Sequence, residues 1–174
     1  ARGLQPGACP ERFNLDHVAA LEEIATLYLD AGAEIVQTNT FGGSPLKLAS
    51  FGLADRSDEI NAQAVAAVRR AVGDRAYVSA SVGPTGRLLL PFGDTDPAEM
   101  AATFGSQAES LARAGVDLFC VETMTDLNEA TLAVRAIRAA APGVPILATM
   151  TFEQTRRGFF TVMGQKLLEG RDFT

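Results

Sequence analysis

The chain has 174 residues, of which 47% are apolar, enough for one domain with a sizeable core. Its 15 Lys and Arg stand against 21 Asp and Glu, and the net charge of −6 argues against general nucleic-acid binding, which needs a basic face. No run approaches the ~20 apolar residues that span a bilayer, and no leader-like segment opens the chain, so we expect a cytoplasmic protein.

Four predicted helices alternate with four predicted strands. The strands are rich in apolar and β-branched residues and lack a clean polar alternation, which is typical of parallel strands covered on both faces. In chain order the predicted elements are helix 15–31, strand 33–41, helix 57–72, strand 76–83, helix 97–114, strand 116–123, helix 126–140 and strand 144–152. The first helix is predicted from Val18, Leu21, Ile24 and Leu27, which recur at spacings of three.

Residues with strong positional preferences mark the helix ends. Asp96 and Asp126 are predicted N-caps, each with a glutamate three residues later (Glu99 and Glu129), and Pro97 suits the first helical position. A glycine follows three of the helices, where a left-handed C-cap is expected: Gly32, Gly73 and Gly115.

The repeated helix, turn and strand predict an α/β fold with a parallel sheet, either an open doubly wound sheet or a (β/α)8 barrel. The barrel is favoured because no G-x-G-x-x-G loop follows the first strand, and because polar residues gather at the carboxyl end of every strand, the active face of a barrel. A barrel needs eight strands and about 250 residues. We therefore expect this chain to cover part of one.

The segment "DLFCVETMTD" ends a buried strand on a charge. Alternation places Leu118, Cys120 and Glu122 on one face. A carboxylate at the rim of a core can bind a cation or act in acid–base chemistry. Alternatively, Glu122 or Thr123 caps the next helix.

Two loops could contact a ligand. "QTNTFGG" (37–43) can hold a polar substrate or simply form a turn. The long loop 81–96 contains Gly83 and Gly86, which let backbone approach a ligand closely, and an apolar run, 88–92. That run predicts a lid or a docking surface, or else a loop packed back on the barrel.

Few residues suit a metal site. Cys9 and Cys120 are far apart and do not make a disulfide framework, and His17 is the only histidine. These residues alone do not make a zinc site. We expect Cys120 to pack in the core, Cys9 to lie in a loop, and His17 to cap a helix or cover surface.

Five ordered blocks resemble the homocysteine S-methyltransferase family, and within it the homocysteine-binding module of cobalamin-dependent methionine synthases. The blocks are "GLQPGACPERFNLDH", "AGAEIVQTNTFGGSPLKL", "SASVGPTG", "DLFCVETMTDLNEA" and "ATMTF". The resemblance predicts a partial barrel domain over 1–164. The segment 165–174 does not fit the family pattern.

The resemblance implies a (β/α)8 TIM barrel, of which this chain covers roughly the first half, strands 2–5. It implies zinc held by three cysteine thiolates on later strands, outside this chain, and homocysteine bound to that zinc through its sulfur. The donor it implies is methylcobalamin, recharged from methyltetrahydrofolate, with the cobalamin- and folate-binding modules as partners. A chain without the zinc ligands is predicted to be inactive alone.

For the site, the resemblance makes Glu122 the group that receives the amino-acid end of homocysteine. Around it we predict a substrate shell of Asn39, Thr40, Ser81, Gly83 and Thr151. No catalytic residue and no metal ligand is predicted in the chain, since the nucleophile is the substrate's own sulfur. Two alternatives stay open: a non-catalytic binding module, and another (β/α)8 enzyme that uses Glu122 as a base.

Overall fold

A computed structural model describes residues 3–167. The helices are α1 (Phe13–Asp16), α2 (Val18–Asp30), α3 (Pro45–Ala49), α4 (Ser57–Val72), α5 (Pro97–Ala114) and α6 (Leu127–Ala140), with 3-10 turns at Pro10–Arg12 and Ala54–Arg56. The strands are β1 (Ile35–Gln37), β2 (Tyr77–Val82), β3 (Leu118–Met124), β4 (Ile146–Met150), β5 (Glu153–Thr155) and β6 (Gly158–Phe160). Across residues 3–167, no helix is both long and apolar enough to cross a membrane.

Strands β1 to β4 form one parallel sheet in strictly sequential order. A doubly wound sheet reverses its strand order at a switch point, whereas a barrel places each strand beside the next. The four long helices pack in the same succession, α2 on α4, α4 on α5 and α5 on α6. The fold is therefore α/β, with a parallel sheet consistent with a partial TIM barrel.

One face of the sheet packs against the helices. Alternate strand residues, among them Val36, Val78, Ala80, Phe119 and Val121, join helix side chains in one core cluster. Burial of this apolar surface is the main stabilising term, at about 25 cal/mol per Å².

The other face, which we call the inner face, carries the intervening residues and is half-open. Ile35, Tyr77 and Leu147 are 51%, 62% and 55% exposed. Toward the carboxyl ends of the strands this face becomes polar and holds Gln37, whose side chain follows Ile35 on the same side of β1.

Several predicted boundaries are confirmed. Helices 57–72 and 97–114 have the predicted bounds. The Asp96 side chain accepts from Ala98 N at 2.7 Å, and the Asp126 side chain accepts from Asn128 N at 2.9 Å, so both aspartates are N-caps. Gly115 ends α5 in the left-handed conformation, with φ 90°.

The predicted first helix is wrong in two respects. The chain breaks at His17, whose φ of −140° and ψ of 44° separate α1 from α2. The predicted stripe is also displaced: Ile24 and Leu27 are 38% and 56% exposed, while Leu21 and Ala25, four residues apart, face the core. Spacings of three drift around a helix of 3.6 residues per turn, so these residues do not share one buried face.

The sequence prediction also missed short elements. Helix α3 begins where the Ser44 side chain accepts from Lys47 N, and β5 pairs with β6 as an antiparallel hairpin. Both are too short to leave a periodic signal. Of the predicted divergent segment 165–174, only 165–167 lie within the described residues.

Candidate functional site

Glu122 stands where three neighbouring strands meet. Its Oε1 accepts from Ser81 Oγ on β2 at 2.5 Å and from Gln37 Nε2 on β1 at 3.2 Å. The side chain is half-buried, and within residues 3–167 no hydrogen bond reaches Oε2. One oxygen is therefore fixed by the protein, and the other is available to a ligand.

A β-bulge sets the end of β3. Val121 pairs with Ala148 and Met124 with Met150, so β3 holds one residue more than β4 over this interval. Within the bulge Thr123 has φ 60°, an uncommon conformation for a β-branched residue. Strain of this kind costs about 1–3 kcal/mol and tends to cluster at functional sites.

The capping alternative for Glu122 and Thr123 is wrong. Helix α6 is capped by Asp126, which accepts from Asn128 N. The glutamate three residues later, Glu129, does not close a capping box. Its Oε1 instead accepts from Thr85 N at 2.8 Å and from Thr85 Oγ1 at 2.7 Å.

Thr40 supports Ser81 from behind. Its side chain is fully buried, and its hydroxyl donates to Ser81 O at 2.7 Å. The same hydroxyl lies 2.7 Å from Thr38 Oγ1, which accepts from Ser81 N at 3.4 Å. Two threonines thus hold the backbone of the serine that contacts Glu122, and Thr40 itself has no exposed atom to offer a substrate.

Asn39 ties the N-terminal segment to the site. Its Nδ2 donates to Pro10 O and to Asn14 Oδ1, both at 2.8 Å, and Asn14 Nδ2 returns a bond to Asn39 O at 2.8 Å. Within residues 3–167, the Asn39 side-chain oxygen accepts no hydrogen bond, so this atom of the side chain is left for a ligand.

Gly83 and Thr151 flank the same region. An added Cβ on Gly83 would stand 2.4 Å from the Phe41 ring, and Gly83 N donates to Phe41 O at 2.9 Å. Glycine is thus required here by Phe41. Thr151 is exposed, and its backbone N donates to Met124 O at 2.8 Å, which places it beside the end of β3.

Sequence reasoning did not assign individual site roles to three residues of this region: Gln37, Thr85 and Glu129. Gln37 was signalled by alternation along β1, since it shares a face with Ile35. The contact of Thr85 with Glu129 gave no signal, because it joins the loop after β2 to the first turn of α6, and the sequence pattern indicated only a capping role for Glu129. A cavity of about 760 Å³ opens beside the site, and Gln37, Asn39, Ser79 and Cys120 are among its lining residues.

Comparison with known proteins assigns the chain to a family. The sequence model of the homocysteine S-methyltransferases matches residues 4–170. The chain belongs to the homocysteine S-methyltransferase family.

Methionine synthase of Mycobacterium tuberculosis is 33% identical over 164 residues, which cover 88% of this chain and 14% of that protein. Methionine synthase of Mycobacterium leprae is 30% identical over 164 residues, covering 88% of this chain and 13% of that protein. The chain therefore spans about a seventh of the length of these curated relatives.

Solved structures share the fold. The homocysteine methyltransferase MmuM from Escherichia coli, in its metallated form, superposes with a TM-score of 0.76 over 95% of this chain and 62% of that one, at 21% identity. Its oxidized form gives a TM-score of 0.72 over 92% and 60%, again at 21% identity.

The two cysteines of this family member do not form a metal centre. Burial raises the pKa of the Cys120 thiol, and the charge of Glu122 raises it further, while a hydrogen bond with Gln37 lowers it. Burial also raises the pKa of Cys9, whose thiol donates to Glu11 Oε2 at 3.2 Å. Zinc needs thiolates, and residues 3–167 contain no cluster of three or more His, Cys, Asp or Glu that fits a metal ion.

The apolar run 88–92 divides between core and surface. Leu89 is 7% exposed and joins the main core cluster, whereas Leu88, Leu90 and Phe92 are 49%, 56% and 74% exposed. The loop packs back on the core at Leu89 and presents the other three side chains outward, and a role as a lid or docking surface stays a prediction.

Proposed function

We propose that this chain is the homocysteine-binding part of a longer methionine synthase. In the proposed reaction the sulfur of homocysteine takes a methyl group from a donor, the bond between donor and methyl group breaks with its electron pair left on the donor, the thiol proton is released, and methionine is formed. Membership of the family supports methyl transfer to homocysteine. The identity to two methionine synthases supports the finer assignment.

The observation that carries the proposal is the Glu122 carboxylate. Its Oε1 is held by Ser81 and Gln37, which leaves Oε2 to accept from the ammonium group of the substrate. A charge-assisted hydrogen bond of this kind contributes about 1.5–3 kcal/mol. We propose Ser81, Gly83, Thr151 and the side-chain oxygen of Asn39 as the surrounding shell, with Thr40 acting through Ser81.

We also propose that the four parallel strands are strands 2–5 of an eight-stranded barrel. In a closed barrel the interior is filled by layers of strand side chains. The exposed apolar residues of the inner face, Ile35, Tyr77 and Leu147, would pack in such layers.

Zinc and cobalamin enter this proposal from outside the described residues. Because residues 3–167 do not fit a zinc site, we place its cysteine ligands elsewhere in the complete polypeptide. Bound zinc would supply a deprotonated, nucleophilic sulfur. We propose methylcobalamin as the donor, carried and recharged from methyltetrahydrofolate by other modules, and we predict a cytoplasmic location.

The two alternatives are less well supported. A non-catalytic binding module and another (β/α)8 enzyme that uses Glu122 as a base would each depart from the activity after which the matched family is named. If the complete, zinc-loaded polypeptide did not methylate homocysteine, one of these two alternatives would be favoured.

The test of Glu122 is the substitution Glu122→Gln in the complete polypeptide. Loss of the charge-assisted contact should raise the KM for homocysteine about tenfold to a hundredfold, measured by steady-state methionine formation. The matched control is Glu109→Gln, an exposed position on α5. An unchanged KM in Glu122→Gln would remove Glu122 from the substrate site.

A further inference from the structure

We propose that Glu129 is a positioning residue that fixes the GPTG loop (residues 83–86) against the substrate site. The inference rests on the proposed function, because it assigns Glu129 a role in holding homocysteine. Nothing in the motif itself indicates this role, since a glutamate three residues after an N-cap normally closes a capping box.

Glu129 contacts the loop directly, through two hydrogen bonds from one residue. Glu129 Oε1 accepts from both the backbone N and the hydroxyl of Thr85, at 2.8 and 2.7 Å. The Thr85 hydroxyl in turn accepts from Arg87 N at 3.2 Å. One carboxylate therefore holds Thr85, and through it Arg87 N, in the loop that follows β2.

Both residues of this contact are buried, and burying a carboxyl group lowers the stability of the fold unless hydrogen bonds compensate. Glu129 is 4% exposed and Thr85 is 3% exposed. Burial raises the pKa of Glu129, the nearby charge of Asp126 raises it further, and the donors of Thr85 and the charge of Lys47 lower it. A buried carboxyl group destabilises a fold unless its hydrogen bonds compensate, and an apolar residue would fill the space at lower cost.

Glu129 forms a second link next to the one that Glu122 makes with Ser81. Glu122 joins the end of β3 to the end of β2 through Ser81, and Glu129 joins the start of α6 to the following loop through Thr85. The second link limits how far Gly83 can move relative to Glu122.

The Lys47 side chain also lies close to the loop, at Gly86. Gly86 has φ 77°, and a Cβ added there would stand 3.1 Å from Lys47 Nζ. The loop is thus held by Glu129 on one side and bordered by the Lys47 ammonium on another.

The experiment uses the complete zinc-loaded polypeptide and homocysteine as the probe. We expect Glu129→Ala to raise the KM for homocysteine about tenfold while kcat changes less than about twofold. Thr85→Ser keeps both donors and should retain the wild-type KM, whereas Thr85→Val loses one and should be intermediate. Glu109→Gln again serves as the exposed control.

A second measurement separates positioning from stability. Hydrogen–deuterium exchange of peptides covering 83–92 should become faster in Glu129→Ala, while peptides from α4 should exchange at the wild-type rate. A fall in melting temperature with no change in KM or in exchange of the loop would overturn the inference, as would equal changes in KM and kcat.

The two proposals fail in distinguishable ways. If the wild-type polypeptide does not methylate homocysteine, the proposed function is wrong, and loop exchange still reports whether Glu129 holds residues 83–86. If the wild type is active and the KM of Glu129→Ala is unchanged, only the role of Glu129 is wrong.

Discussion

The two faces of the parallel sheet use the same strands for different purposes. The helix-facing residues, such as Phe119 and Val121, are fully buried in one apolar cluster. The inner face exposes Leu147 and Tyr77 and ends in the polar group around Glu122. The comparison teaches that burial on the helix side fixes the fold of the chain, while the inner face supplies a site and leaves apolar surface uncovered.

The largest expected effect is the difference in stability between a substitution on the helix-facing side of the sheet and one on its inner face. In the isolated chain, Phe119→Ala should lower the free energy of unfolding by about 3–5 kcal/mol, because it removes a fully buried ring. Leu147→Ala, at 55% exposure, should cost less than about 1 kcal/mol by the same measurement, urea denaturation.

Leu147→Ala also tests whether these strands belong to a closed barrel. In the complete polypeptide Leu147→Ala should cost about 2–5 kcal/mol if the inner face becomes barrel interior. An equally small cost in both contexts would contradict the assignment of these strands to a closed barrel.

A smaller effect compares a glycine at the site with a glycine in a helix. Gly83→Ala should lower the free energy of unfolding by about 1–3 kcal/mol, because the new methyl group meets the Phe41 ring. Gly105→Ala, in α5 with open space around the added Cβ, should raise it by about 0.5–1 kcal/mol.

Thermal or urea unfolding of the two glycine variants measures both changes. Phe41→Leu should partly rescue Gly83→Ala by making room for the methyl group. If Gly83→Ala left the free energy of unfolding unchanged, the Phe41 ring would be free to move, and its contact would not explain the glycine at position 83.

The smallest effect is a pH dependence. The pKa of Glu129 is raised in the folded chain, so the folded state binds the proton more tightly than the unfolded state. Its stabilising contribution is present below the ordinary glutamate pKa of about 4.3 and is lost as pH rises through the raised value.

Glu129→Gln removes that contribution. The stability difference, wild type minus Glu129→Gln, should therefore increase as pH falls from 7 toward about 4.5, measured by urea denaturation at each pH. The exposed control Glu109→Gln should show a difference that does not follow this trend. A flat difference for Glu129→Gln would show that this carboxyl titrates normally.

The sequence by itself determined the elements whose signals are local. Asp96 and Asp126 as N-caps, the bounds of α4 and α5, and the order of helix and strand all follow from capping chemistry and apolar periodicity. Ordered motifs also identified the family, and alternation placed Glu122 on the inner face. These features depend on residues close together in the chain.

Only the tertiary structure decided the contacts between distant segments. Ser81 and Gln37 on Glu122, Thr85 on Glu129 and the Phe41 ring on Gly83 join residues that no periodic pattern connects. The sequence likewise did not predict the helix break at His17 or the exposure of Ile24 and Leu27. The physical reason is that hydrogen-bond partners and packing neighbours at a site are set by which strand ends the sheet brings together, and that arrangement forms only when the chain folds.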